Sequence, residues 1–269
     1  MHFHFSFTAV QILWTLTFAA LLVLLAVLFG RERARRFPWF TASIVLLTLH
    51  LLIDRLLYGR LAPLTTSIIF LVLADLAMLL NLLVLLEMAR RAFGKASRRS
   101  RLVGLLVLLG VGGGLVAAWG PWPPWQTLTA GTVLSTLRLM QMCSQKGDLL
   151  AALLAALLGV LVVLLGRRFK AGWQSHTQRI VIGLSAAGLA HLTTQGIFNA
   201  IGMHVTIHSH KELARLLALQ GRLFDANSTV YLAVLVWWIA CLWKDEPGEA
   251  PQAAADGAPQ APDDEAVSG

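Results

Sequence analysis

Charge is scarce in this chain. Charged residues fill 13% of its 269 positions, where a water-soluble domain carries about 25%. Hydrophobic residues fill 57%, so one large soluble domain is excluded. Cysteine is nearly absent. Cys143 and Cys241 are the two present, and neither stands in a CxxC or other metal-binding spacing. Cys143 follows the fourth apolar run and Cys241 closes the last, on opposite sides of the expected topology, which excludes a disulfide between them. A basic leader is missing too. Met1 to Thr8 carry no Lys or Arg, and no small-residue cleavage site precedes Arg31. The first apolar run is therefore expected to be a retained span and not a signal peptide. There is no internal repeat of the kind that builds inverted-repeat transporters.

What is present is seven long apolar runs: Ala9–Gly30, Pro38–Tyr58, Leu64–Met88, Leu102–Trp119, Leu149–Gly166, Arg179–Ile201 and Asn227–Trp243. A bilayer crossing takes roughly 20 helical residues. The runs lack the alternation of barrel strands, and lipid offers no partner for an open backbone. The expected fold is all-α: a polytopic bundle of seven transmembrane helices over residues 1–244. Residues 245–269 hold seven of the fourteen acidic residues among Ala, Pro and Gly. They are expected to form a disordered acidic tail, too short for an effector domain.

Lysine and arginine fix the expected orientation. Fifteen lie in gaps one–two, three–four and five–six or just after the last span, and seven lie on the other side. Short basic loops stay cytoplasmic, which puts the N-terminus outside and the C-terminus in the cytoplasm. The net charge of +8 sits at helix ends. Anionic lipid headgroups, not nucleic acid, are its expected partner. Gly120 to Gly147 opens with prolines and tryptophans suited to the headgroup level. Thr132–Gln145 is expected to be helical, extending the fifth span or lying on the surface. Lys211–Leu219 shows helical spacing of leucine and charge, as an interfacial helix would.

Ionisable groups inside a span are costly and are functional candidates by default. His50 and Asp54 share a face of the second span, Asp75 lies in the third, and His191, Gln195 and Asn199 form an i,i+4,i+8 stripe on the sixth. His50 is twelve residues past Pro38, and His191 is twelve past Arg179. At ~1.5 Å per residue, both lie ~18 Å from the inner surface, near the level of Asp75. Such a layer can bind a ligand or ion, relay protons, or simply hydrogen-bond helix to helix. One histidine per helix is a thin pattern for haem, and no cofactor is expected. Arg55, Arg60 and Glu87, near span ends, can snorkel. His204, His208 and His210 lie in an outer gap and are weak metal candidates, since no Cys, Asp or Glu completes a set there.

Several enzyme classes are excluded. Ser185 and His191 are six apart on one helix, about 240° around it, so they form no rhomboid-like dyad. Asp54 and Asp75 lack the motifs of presenilin-like proteases. Lys244 lies at the end of the last span, not inside it, so it cannot carry retinal. Thr136-Leu137-Arg138-Leu139-Met140-Gln141, Trp173, His176 and Ile182-Gly183-Leu184, with Phe37-Pro38-Trp39-Phe40 and Glu87, resemble a pattern in uncharacterised seven-span membrane proteins of Acidobacteria-type bacteria. The resemblance implies a bacterial cytoplasmic-membrane protein and brings no activity with it. The expected function is a non-enzymatic sensing or signalling module, with an unidentified protein partner at its basic loops. The alternative is a small transporter or proton-coupled carrier using His50, Asp75 and His191.

Overall fold

Prolines and glycines set the helix boundaries. In the computed structural model, residues 9–57, 60, 62–92, 98–119, 122, 131–166, 175–204 and 210–245 are described. α1 (Ala9–Gly30) stops at the arginine run, whose short α2 (Arg33–Arg36) leads into α3 (Pro38–Leu57). α4 (Pro63–Ala92), like α3, begins on proline, which suits the first helical position because its missing N–H would have no partner there. α5 (Arg98–Ala118), α6 (Val133–Gly166), α7 (His176–His204) and α8 (His210–Trp243) complete the helices of the described residues. α6 has a reciprocal cap: Thr132 N–H donates to Ser135 Oγ at 3.0 Å, and Ser135 N–H donates to Thr132 Oγ1 at 3.2 Å. No strand occurs among the described residues.

Among the described residues, six helical segments are long and apolar enough to cross a membrane: Val10–Gly30, Pro38–Leu57, Leu64–Ala92, Val133–Leu164, His176–Ile201 and Glu212–Trp243. α5 contributes a shorter apolar stretch, Leu106–Ala118. One expectation changes and another is resolved. Lys211–Leu219 is not a separate surface helix, because it continues without a break into the last span as α8. Thr132–Gln145 takes the first of its two options and runs straight into α6. Both regions lack a helix-breaking proline, and each resulting helix has 34 residues. At ~1.5 Å per residue such a helix is ~51 Å long, well beyond a ~30 Å hydrocarbon core. The acidic tail from residue 246 onward, His208, and the side chains of His204 and His210 lie outside the described residues.

The helices close a circuit: α1 packs on α3, α3 on α4, α4 on α6, α6 on α7, α7 on α8, and α8 back on α1, with α4 also reaching α7. α5 lies outside the circuit, against α6. Large apolar side chains cover the outer surface, with Leu106 65% and Leu164 68% exposed. So much apolar surface is unsuited to water and natural against lipid.

Small residues let α6 and α7 meet closely. A Cβ on Gly188 would lie 2.8 Å from the Ala152 carbonyl oxygen, and one on Gly159 would lie 2.0 Å from Ser185 Oγ. Ser185 Oγ donates to the Val181 carbonyl at 2.8 Å or to that of Ala155 at 2.7 Å. Its role is to join these helices. Gly188→Ala should lower stability by ~1–3 kcal/mol, because a backbone oxygen cannot move aside as a side chain can. Gly113→Ala, with nothing within 4 Å of the added carbon, should stay within about 0.5 kcal/mol. Thermal unfolding of both variants in one nanodisc composition checks the contrast.

Candidate functional site: a cavity among six helices

The circuit encloses a cavity of about 640 Å³, lined by α1, α3, α4, α6, α7 and α8. Its floor lies toward the arginine-rich end of the bundle. There Phe40 meets Trp238 edge to face, with ring centroids 5.0 Å apart. Both rings are almost fully buried. Gly183 makes room for the indole, since a Cβ there would sit 2.3 Å from Trp238 Nε1. Ile44, Val84 and Leu184 continue the apolar floor.

The walls become polar toward the other end. The Gly188–Ala152 contact positions two of the groups. His191 lies one turn beyond Gly188, and Asp148 lies one turn before Ala152. Because α6 and α7 run antiparallel, the two side chains come to similar levels on adjoining walls, and both line the cavity. A second tight contact fixes α4. A Cβ on Gly147 would meet the Met78 side chain at 2.5 Å. Asp148 follows Gly147, and Asp75 precedes Met78 by three residues, so the two carboxylates fall within electrostatic reach of each other. Asp75 Oδ1 is buried without a hydrogen-bond partner among the described residues. It lies at the α4–α6 contact, outside the cavity lining.

α8 supplies Asp225, Asn227, Ser228 and Tyr231, and α1 supplies Trp14 and Thr17. Ser43 Oγ donates to Asn81 Oδ1 at 3.1 Å, tying α3 to α4 at the cavity wall. The arrangement suits a small molecule with an apolar body and a polar head. A volume of this size falls in the usual range of roughly 300–1,000 Å³ for ligand pockets.

The sequence-derived candidates divide. His191 lines the cavity, and Asp75 adjoins it through Asp148. His50 turns to α4 instead, its ring 5.8 Å from that of Phe70. Asp54 is exposed near the end of α3, and Gln195 and Asn199 are half-buried farther along α7, none of them in the lining. Among the described residues, no group of three or more His, Cys, Asp or Glu is placed to hold a metal ion. Asp148 and Asp225 were missed by sequence reasoning, because each stands just outside an apolar run. Their signal was helical spacing, Asp148 with Ala151, Ala152 and Ala155, and Asp225 with Ser228.

The arginine-rich end is closed by polar contacts. The Glu87 carboxylate accepts the Phe40 N–H in the first turn of α3 at 3.3 Å and pairs with Arg91 at 3.2 Å. Arg91 also donates to the Arg36 carbonyl and lies 4.8 Å from the Phe37 ring centroid. Arg31 and Arg33 both reach Asp245 beyond α8, at 3.3 and 3.2 Å. Arg179 donates to the Cys241 carbonyl at 3.3 Å.

Comparison with protein-family models, with curated proteins and with solved structures finds no match.

Glu87 and Asp245 should differ in weight. Glu87→Ala would strip a buried helix N–H and an arginine of their shared acceptor, costing ~1–3 kcal/mol. Asp245 is 66% exposed, so Asp245→Asn should cost less than about 1 kcal/mol. Denaturant unfolding monitored by tryptophan fluorescence separates the two.

Proposed function

We propose that this protein is a seven-span sensing or signalling module of a bacterial cytoplasmic membrane that binds a small molecule in the cavity. The observation that carries this reading is the cavity itself. Six helices converge on it, its floor is apolar and its polar groups gather toward one end. α5 serves as the remaining span, through its apolar stretch Leu106–Ala118. The N-terminus lies outside and the C-terminus in the cytoplasm, so the polar end of the cavity faces outward. The basic inner loops meet anionic lipids and present the module to a protein partner. The contacts at the arginine-rich end support such a role, because they join the α1–α3 connection, α4 and the end of α8. A ligand that shifts α8 would be felt there.

A carrier is the second reading, favoured by the clustering of Asp75, Asp148 and His191 near one level of α4, α6 and α7. It expects proton-coupled flux in liposomes that Asp148→Asn abolishes.

Two measurements test the proposal. Native mass spectrometry from nanodiscs should show a stoichiometric small molecule on the wild-type protein, lost in Ala187→Phe, which fills the cavity from α7. Bare protein carrying only exchangeable lipid would overturn the ligand site. For orientation, Cys143 is free and exposed, and Cys241 is free and buried. A membrane-impermeant maleimide should label Cys143 on intact cells. Labelling of Cys143 only after lysis would reverse the topology.

A further inference from the structure

The charge inventory of the cavity narrows its ligand. Asp148 and Asp225 line it, and no Lys or Arg does so among the described residues. Neither carboxylate has an ion-pair partner there. The nearest lysine along α6 is committed elsewhere. Lys146 Nζ donates to the Trp119 carbonyl and lies 4.7 Å from the Trp122 ring centroid. Arg222, one turn before Asp225, is exposed and outside the lining.

The two carboxylates also share a level. Gly166 ends α6 eighteen residues after Asp148, and Trp243 ends α8 eighteen residues after Asp225. Each group is thus ~27 Å along its helix from the arginine-rich end. Between α6 and α8 stands α7, carrying His191. The other titratable group in the lining is Tyr231, two turns deeper than Asp225 on α8, and Asp75 stands behind Asp148. Aromatic surface is close by. Trp14 lines the cavity, its ring stacked on Phe18 with centroids 5.4 Å apart, and Phe224 lies beside Asp225. Below them the cavity runs apolar to the Phe40–Trp238 floor.

Carboxylates facing a largely apolar cavity without a counter-ion are poorly solvated. A cation supplied from outside would relieve this, and aromatic faces add to its attraction. We infer that the cavity takes an organic cation. Its protonated amine sits between the Asp148 and Asp225 walls, and its apolar or aromatic body extends down to Phe40 and Trp238. This rests on the cavity being a ligand site.

The test uses full-length protein in nanodiscs and three probes with one body: 2-(1-naphthyl)ethylamine, the corresponding alcohol and 1-naphthylacetate. Tryptophan quenching is read against empty nanodiscs. The amine should bind saturably and at least roughly tenfold more tightly than the alcohol, with the carboxylate weakest. Asp148→Asn and Asp225→Asn, each confirmed folded by its melting curve, should each weaken the amine several-fold and leave the alcohol unchanged. Ala187→Phe should abolish all saturable binding. Equal binding of amine and alcohol, still blocked by Ala187→Phe, would overturn the cation inference and leave the ligand site standing. An amine preference untouched by both asparagine variants would overturn the assigned position. No saturable binding of any probe would overturn the inference together with the site.

Discussion

The close contact between α6 and α7 is the constraint on which the rest of the molecule depends. Lipid tails are as apolar as leucine, so helices in a membrane gain little from hiding apolar surface from each other. They associate where backbones approach closely and polar groups find partners. Gly159, Gly188, Ala152 and Ala155 provide the approach, and Ser185 provides a hydrogen bond across it. This seam fixes the height of α7 against α6, and hence the relative levels of His191 and Asp148. Gly183, on the same helix, accepts the Trp238 indole and so fixes α8. The cavity is what remains when small residues seat these helices tightly and the ring of helices is too wide to fill at its centre.

The two ends of the bundle are built differently. At the arginine-rich end, Glu87 accepts the buried Phe40 N–H in the first turn of α3, where a negative charge is favoured by the helix dipole. Arg91 neutralises that charge, and Phe37 lies beneath both arginines that flank it. These contacts tie the α2–α3 segment to α4 at this end. The opposite end holds carboxylates without partners and helices that outrun the bilayer thickness. Rigidity at one end and unmet bonding capacity at the other is the arrangement expected when an external molecule completes the structure.

The helical bundle was largely legible from residue order. Gly30 before the arginines, and Pro38 and Pro63 at helix starts, set boundaries that apolar runs alone also marked. The polar layer was legible only in part. The count of residues along a helix can be read from sequence, and His191 lines the cavity. His50 shows that the direction of a side chain cannot: it lies twelve residues along its span, as His191 does, yet turns to Phe70. Which way a helix rotates is decided by its neighbours, here by contacts such as Met78 on Gly147. Asp148 and Asp225 escaped for another reason. Hydropathy marks where the apolar stretch ends, whereas the helix continues as long as nothing breaks it, and both carboxylates lie in that continuation.

That continuation also accounts for how carboxylates can sit at this depth. An acidic group in the hydrocarbon centre is costly. Asp148 and Asp225, ~27 Å along their helices, stand near the boundary of a ~30 Å hydrocarbon layer. The apolar floor begins below them. A molecule entering from that side meets charge first and apolar surface afterwards. Its charged group need not cross the apolar part of the cavity, and its body is withdrawn from water as it descends. The order of polar and apolar groups along the cavity thus matches the order of head and body in an amphipathic cation, and it opposes a molecule of the reverse polarity or of negative charge.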